Sequence, residues 1–99
     1  MLYSIVGIDN PDSLDARMAV RSEHVARLQE MLAQGRLIIA GPNPAIDSDD
    51  PGEAGFTGSI IVAEFDSLQV AQDWADEDPY IKSGAYASVM VKPFKKVLP

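Results

Sequence analysis

The 99 residues include no cysteine and only one histidine, His24. Without thiols there is no disulfide, no thiolate nucleophile and no zinc knuckle. Without a second imidazole, His24 is not half of a familiar two-histidine metal site. Bases are also scarce: eight Lys and Arg stand against fifteen Asp and Glu, a formal charge of −7. Nucleic-acid partners are held by clustered Lys and Arg, so none is expected. The basic run Lys92-Pro93-Phe94-Lys95-Lys96 is too short to change this and reads as a strand end with a solvated tail. No apolar run approaches membrane-spanning length and no charged-then-apolar leader precedes the first strand. A cytoplasmic location without membrane contact is the expectation. Gly55-x-x-Gly58 lacks the Lys-Ser/Thr and following helix of a phosphate loop. The Asp47, Asp49 and Asp50 loop lacks the ligand spacing and terminal Glu of a calcium loop. With no flavin or nicotinamide signature, no metal or cofactor is expected.

What is present is a hydrophobic content of 46%, enough for one folded domain over residues 1–99. Leu2 to Ile8 reads as a strand, broken by Asn10-Pro11-Asp12. The main helix follows. Asp12 or Ser13 offers a first helical turn and Ser22 an N-cap, so one long helix and a turn plus a helix are both open. Gly35 ends it at the C′ position. Arg36 to Gly41 forms a second strand stopped by Pro42, and Pro42 to Thr57 a long loop. Ser59 to Phe65 is a third strand. Ser67 caps a second helix with Leu68, Ala71, Trp74 and Ala75 on its apolar face, ended by Pro79. Ile81 to Gly84 connects to a last strand, Ala85 to Phe94.

The order β-α-β-β-α-β is the α+β ferredoxin-like unit: an antiparallel four-stranded sheet with two helices on one face. Strand alternation adds a second expectation. Ile60 and Val62 oppose Ile61, Ala63 and Phe65; Leu37 and Ile39 oppose Ile38 and Ala40; Leu2, Val6 and Ile8 oppose Tyr3 and Ile5. Two helices cover one sheet face, yet both faces are apolar, so a homodimer packed sheet on sheet is expected.

His24 carries the chemistry. At 3.6 residues per turn it shares a side with Arg21, Leu28, Met31 and Leu32, with Val25 beside them. Glu23, Arg27, Glu30 and Gln34 take the other side. An imidazole at a core margin serves as a structural hydrogen-bonding group or as a general base. Asp76, Glu77 and Asp78 crowd a helix C-terminus, where the macrodipole disfavours acids. Asp78 stays near the buried face before Pro79, suited to orienting an imidazole, although a surface Asp before a helix-stopping Pro explains it by spacing alone. Arg17 and Arg21 suit an anion, with pairing to Asp12, Asp15 or the C-terminal acids as the plain alternative. Arg21, on the His24 side, is the stronger functional candidate. Gly41 and Pro42 after strand two, and Ser59 opening strand three, allow a ligand to approach, though turn geometry also accounts for them. Tyr80 and Tyr86 suit an aromatic pocket wall or simple packing.

Taken in order, Met1-Leu2-Tyr3, Arg17…Arg21-x-x-His24…Leu28, Gly35-Arg36-Leu37, Ala40-Gly41-Pro42, Gly55-Phe56-Thr57-Gly58-Ser59, Trp74-Ala75-Asp76-x-Asp78-Pro79-Tyr80 and Val91-Lys92-Pro93-Phe94-Lys95-Lys96 resemble the YCII-related (YciI-like) family over essentially the whole chain. Ser22 departs from the proline expected there in close relatives. The resemblance implies the dimeric α/β-barrel superfamily and a His–Asp pair, by position His24 and Asp78, in a pocket beside the sheet. Related pockets act on small, often hydroxylated aromatic or lactone compounds.

Two functions follow. In one, the chain is a cofactor-independent lyase or isomerase. His24 is its base, Asp78 orients the ring, Arg21 and Arg17 hold an anion, and Ser59 or backbone N–H groups meet a developing enolate. In the other, the same dimeric pocket binds a small metabolite without turnover, or the chain is a structural module. Replacing His24 by Ala separates them: loss of activity with the fold intact, against a loss of about 1–3 kcal/mol of stability from an unpaired buried group.

Overall fold

The computed structural model describes residues Met1–Pro99. Strand β1, Leu2–Asp9, is followed by helix α1, Leu14–Ala33, then β2, Leu37–Pro44, and β3, Phe56–Glu64. Helix α2, Leu68–Asp76, a single-turn helix α3, Pro79–Lys82, and strand β4, Tyr86–Phe94, complete the chain. One antiparallel sheet has the order β2-β3-β1-β4. This is the ferredoxin-like fold, with the helices on one face. No helix is long and apolar enough to cross a membrane.

Several boundaries differ from those read off the sequence. The start of α1, open in the sequence, is settled for one continuous element that runs through Ser22, with Ser13 at the N-cap position. Leu14-Asp15-Ala16-Arg17-Met18-Ala19 contains no breaker, so nothing stops the helix from starting early. Its end is as expected: Gly35 adopts a positive φ of 72°, its N–H donates to Leu32, and that of Arg36 donates to Met31. These two bonds make the Schellman closure that glycine permits. Strand β2 does not stop at Pro42 but runs on to Pro44. It is the edge strand, where a residue without an N–H costs no ladder bond if that position faces away from the sheet. The loop to β3 is shorter accordingly, with a 3₁₀ turn at Gly52–Ala54. Pro79 does not merely end α2; it opens α3 at N1, with Asp78 as its N-cap.

Cross-strand register assigns the faces. Tyr3, Ile5, Ile61 and Ala63 lie under the helices with Phe65, and Met31, Ala71 and Ala75 pack onto them. The other face carries Val6, Ile8, Ile39, Ile60, Met90 and Phe94, with no element over them. Ile8, Ile39, Ile60, Met90 and Phe94 are exposed. A register shift between Leu37 and Ile39 puts these two on opposite faces, contrary to simple alternation. Leu37 therefore packs against the core while Ile39 joins the open face.

Candidate active site

The buried positions of α1 are Arg17, His24 and Met31, spaced seven apart down one line of the helix. Arg21 and Leu32, expected on the buried stripe, are exposed. The line of buried residues faces the sheet beside β2 and β3. There a cavity of about 320 Å³ opens between helix and sheet. Val25, Leu28, Leu37, Ala40, Phe56 and Ile61 form its apolar wall. Arg17, Arg21, His24, Gly41, Pro42, Ser59 and Tyr80 line the same cavity. Asp78 stands behind the imidazole rather than in the lining.

Local chain chemistry sets Asp78. The residue before proline is held extended, here at ψ 132°, and its carboxylate Oδ1 accepts from the Tyr80 amide at 2.9 Å. This cap aims the carboxylate at α1. His24 Nδ1 lies 2.9 Å from Oδ1 and 2.8 Å from Oδ2. A carboxylate only accepts, so Nδ1 is the donor, and in the neutral ring Nε2 is then the nitrogen without a proton. Both side chains are buried. The imidazole stacks on Tyr80, with centroids 4.0 Å apart and planes 15° from parallel. On the other ring contact, the Arg17 guanidinium lies 4.7 Å from the Tyr80 centroid.

Arg17 does not pair with Asp12, Asp15 or the C-terminal acids. Its Nε and Nη2 donate to the Asp9 carboxylate at 2.5 and 3.0 Å, and Ser13 Oγ donates to the same group at 3.2 Å. Nη2 also donates to the Gly58 carbonyl at 2.8 Å and to Ser59 Oγ at 2.7 Å. Burial pulls the guanidinium down, but the Asp9 hydrogen bond and charge outweigh it and hold Arg17 above its usual value. Arg17 is thus a neutralised, fixed donor. Arg21, which forms no ion pair, is the free cation of the cavity. Because Ser59 Oγ already accepts from Arg17, its own O–H is available as a donor. No group of His, Asp and Glu side chains is placed to hold a metal ion.

Asp9 was not singled out in the sequence. Its only signal is that it is the first charge after an uncharged strand. Tyr86, which the sequence offers as a pocket wall or as packing, is packing: it is buried with Tyr80 and Ala85 and does not line the cavity. Its ring lies on Gly7, where an added Cβ would meet Cε1 and Cε2 at 2.7 Å, and its hydroxyl is buried without a hydrogen-bond partner. Burial pushes this phenol up to about 12. Tyr80 is raised too, by burial, with Arg17 and Arg21 opposing. A raised phenol keeps its proton when folded but loses it near pH 10 when unfolded, so its stabilising contribution is present below pH 10 and fades toward pH 12. Tyr86→Phe keeps the ring and removes that titration. Its stability at neutral pH should match or exceed wild type, since an unpaired hydroxyl is lost. Between pH 10 and 12 wild type should lose up to about 1.4 kcal/mol per pH unit more than the variant. Urea titrations across that range check this.

The YCII-related domain model matches residues 1–95. The chain is 60% identical over 97 residues to Protein YciI of Escherichia coli O6:H1, covering 98% of this chain and 99% of that one. It is 57% identical to an uncharacterized protein of Haemophilus influenzae over 97 residues, with the same shares covered. Among solved structures it is similar to 5-chloro-2-hydroxyhydroquinone dehydrochlorinase, TftG, from Burkholderia phenoliruptrix AC1100, in complex with 2,5-dihydroxybenzoquinone. The TM-score is 0.82 at 26% identity, covering 96% of this chain and 94% of that one.

Proposed function

This chain belongs to the YCII-related domain family, and on that premise we propose that it is a cofactor-independent lyase or isomerase for a small anionic or hydroxylated aromatic or lactone substrate. The observation that carries this reading is the buried His24–Asp78 contact beside a cavity large enough for one ring. His24 Nε2 accepts a proton from a C–H or O–H of the substrate. The electron pair left behind forms a new double bond. In a lyase a group on the adjacent carbon leaves with its own bonding pair; in an isomerase a proton returns at another carbon. Asp78 stabilises the imidazolium. Ser59 O–H donates to the oxygen on which charge develops, and Arg17 fixes that hydroxyl in place. Arg21 attracts the anion at the mouth, and Gly41 and Pro42 bound the entrance. Tyr80 supports the imidazole face.

The similarity to TftG, named for loss of HCl from a chlorinated hydroxyhydroquinone, supports the substrate class. The test is incubation of the purified chain with 5-chloro-2-hydroxyhydroquinone and other halogenated or lactonised hydroxyaromatics, following halide or ring absorbance. Turnover that disappears in His24→Ala supports the reading. Binding without turnover across the set replaces it with a metabolite-binding module.

The working unit is proposed as a homodimer joined through the open sheet face, because Ile8, Ile39, Ile60, Met90 and Phe94 form an apolar surface there. Ile60→Asp places a charge at its centre. Sedimentation equilibrium should show a dimer for wild type and a monomer for this variant; a wild-type monomer would contradict the proposal.

A further inference from the structure

Arg27 lies three residues after His24 on α1, on the side that periodicity gives to solvent. It does not extend there. Its guanidinium lies over the Trp74 ring, 4.2 Å from the centroid. Nη2 donates to the Trp74 carbonyl at 2.6 Å, one of the last carbonyls of α2, which have no partner within the helix. Nη1 is buried, has no hydrogen-bond partner, and stands 3.9 Å from Asp78 Oδ2. That is the carboxylate oxygen the Tyr80 amide does not hold.

We propose that Arg27 is a positioning residue for the His24–Asp78 pair. One guanidinium grips the segment that carries Asp78 and places a fixed positive charge beside the carboxylate's second oxygen. The carboxylate is then held from three directions: the Tyr80 amide, the imidazole and Arg27. With its plane fixed, it accepts from Nδ1 and, in the neutral ring, keeps Nε2 the unprotonated nitrogen of a side chain that lines the cavity. This rests on the reading of His24 as a base, but its consequence, a biased ring tautomer, exists without substrate. A buried donor left without an acceptor is costly, so the orphaned Nη1 is accounted for as a charge serving Asp78 rather than as a hydrogen bond.

The single histidine makes the test clean, because ring nitrogen spectra of the ¹⁵N-labelled chain contain one set of signals. At alkaline pH, where imidazole is neutral, wild type should show His24 protonated at Nδ1. Arg27→Met keeps an apolar stem over Trp74 but removes the charge and donors. The Arg27 charge by itself weakens the carboxylate as an acceptor, so a fall in the ratio of Nδ1–H to Nε2–H tautomer, expected on the order of tenfold, reads the lost orientation of Asp78. Arg27→Lys should restore most of it. Arg27→Gln keeps a donor for the Trp74 carbonyl and guards against a folding failure; it should resemble Arg27→Met. A tautomer ratio unchanged in Arg27→Met or Arg27→Gln overturns the inference even if the melting temperature falls, since that marks a purely structural arginine. A lysine variant that fails to restore the ratio overturns it too. A shifted tautomer in a protein with no turnover would keep the positioning role and discard the catalytic reading.

Discussion

Arg17→Met should cost about 3–5 kcal/mol of stability, because it leaves Asp9 buried without its partner. The Asp9 side chain is 1% exposed and Arg17 5%, so water cannot take over the lost bonds. Ser13 Oγ remains with Asp9, but a hydroxyl does not neutralise a carboxylate. The same substitution releases the Gly58 carbonyl and Ser59 Oγ and empties the space beside Tyr80. Against a total stability of about 5–15 kcal/mol this is a large fraction. For a chain of this length the midpoint of thermal unfolding should fall on the order of 15–30 °C. Calorimetry checks it. The companion double variant, Asp9→Leu with Arg17→Met, removes both charges and should recover much of the loss. A single variant within about 1 kcal/mol of wild type, a typical surface-pair value, would show that the pair is not the structural anchor described.

The second large effect is catalytic. Asp78→Asn is nearly isosteric, so the Tyr80 amide can still bond to the side-chain oxygen. Its amide N–H₂, turned toward the imidazole, donates where the carboxylate accepted. That favours the tautomer with the proton on Nε2, where the base is needed, and removes the charge that stabilises an imidazolium. Turnover of any substrate found should fall about 10²–10⁴-fold in kcat. KM should change little, because Asp78 lies behind His24 and does not line the cavity. A variant that loses affinity but keeps kcat would assign Asp78 to binding instead.

How much of this was legible in the sequence depended on the range of the interaction. Element order, the Gly35 closure and the Ser67 cap on α2, whose side chain accepts from the Val70 amide, are local and were read correctly. The helix start stays open in the sequence, because serines at 13 and 22 carry the same capping signal; the structure takes the long-helix alternative with Ser13 at the N-cap. The persistence of β2 past Pro42 depends on its being an edge strand, which no local pattern shows. Within the site, Arg17 could be named but not its partner. The Asp9–Arg17 pair joins a strand end to a helix, and Arg17 reaches Ser59 across 42 positions of sequence. Arg27 was assigned to solvent by helical periodicity, yet its long side chain bends back over Trp74, 47 residues away. Periodicity locates Cβ atoms and says little about where a long flexible side chain ends.

The proposed function turns on His24 removing a proton from a bound small molecule. The most direct measurement is exchange in deuterium oxide, with a panel of hydroxylated aromatic and lactone compounds incubated with wild type and His24→Ala and read by mass spectrometry. Wild type should give carbon-bound deuterium or the mass loss of an eliminated group in at least one compound, slowed about 10²–10⁴-fold in the variant. Neither change with wild type, or equal rates with both, would contradict proton removal by His24.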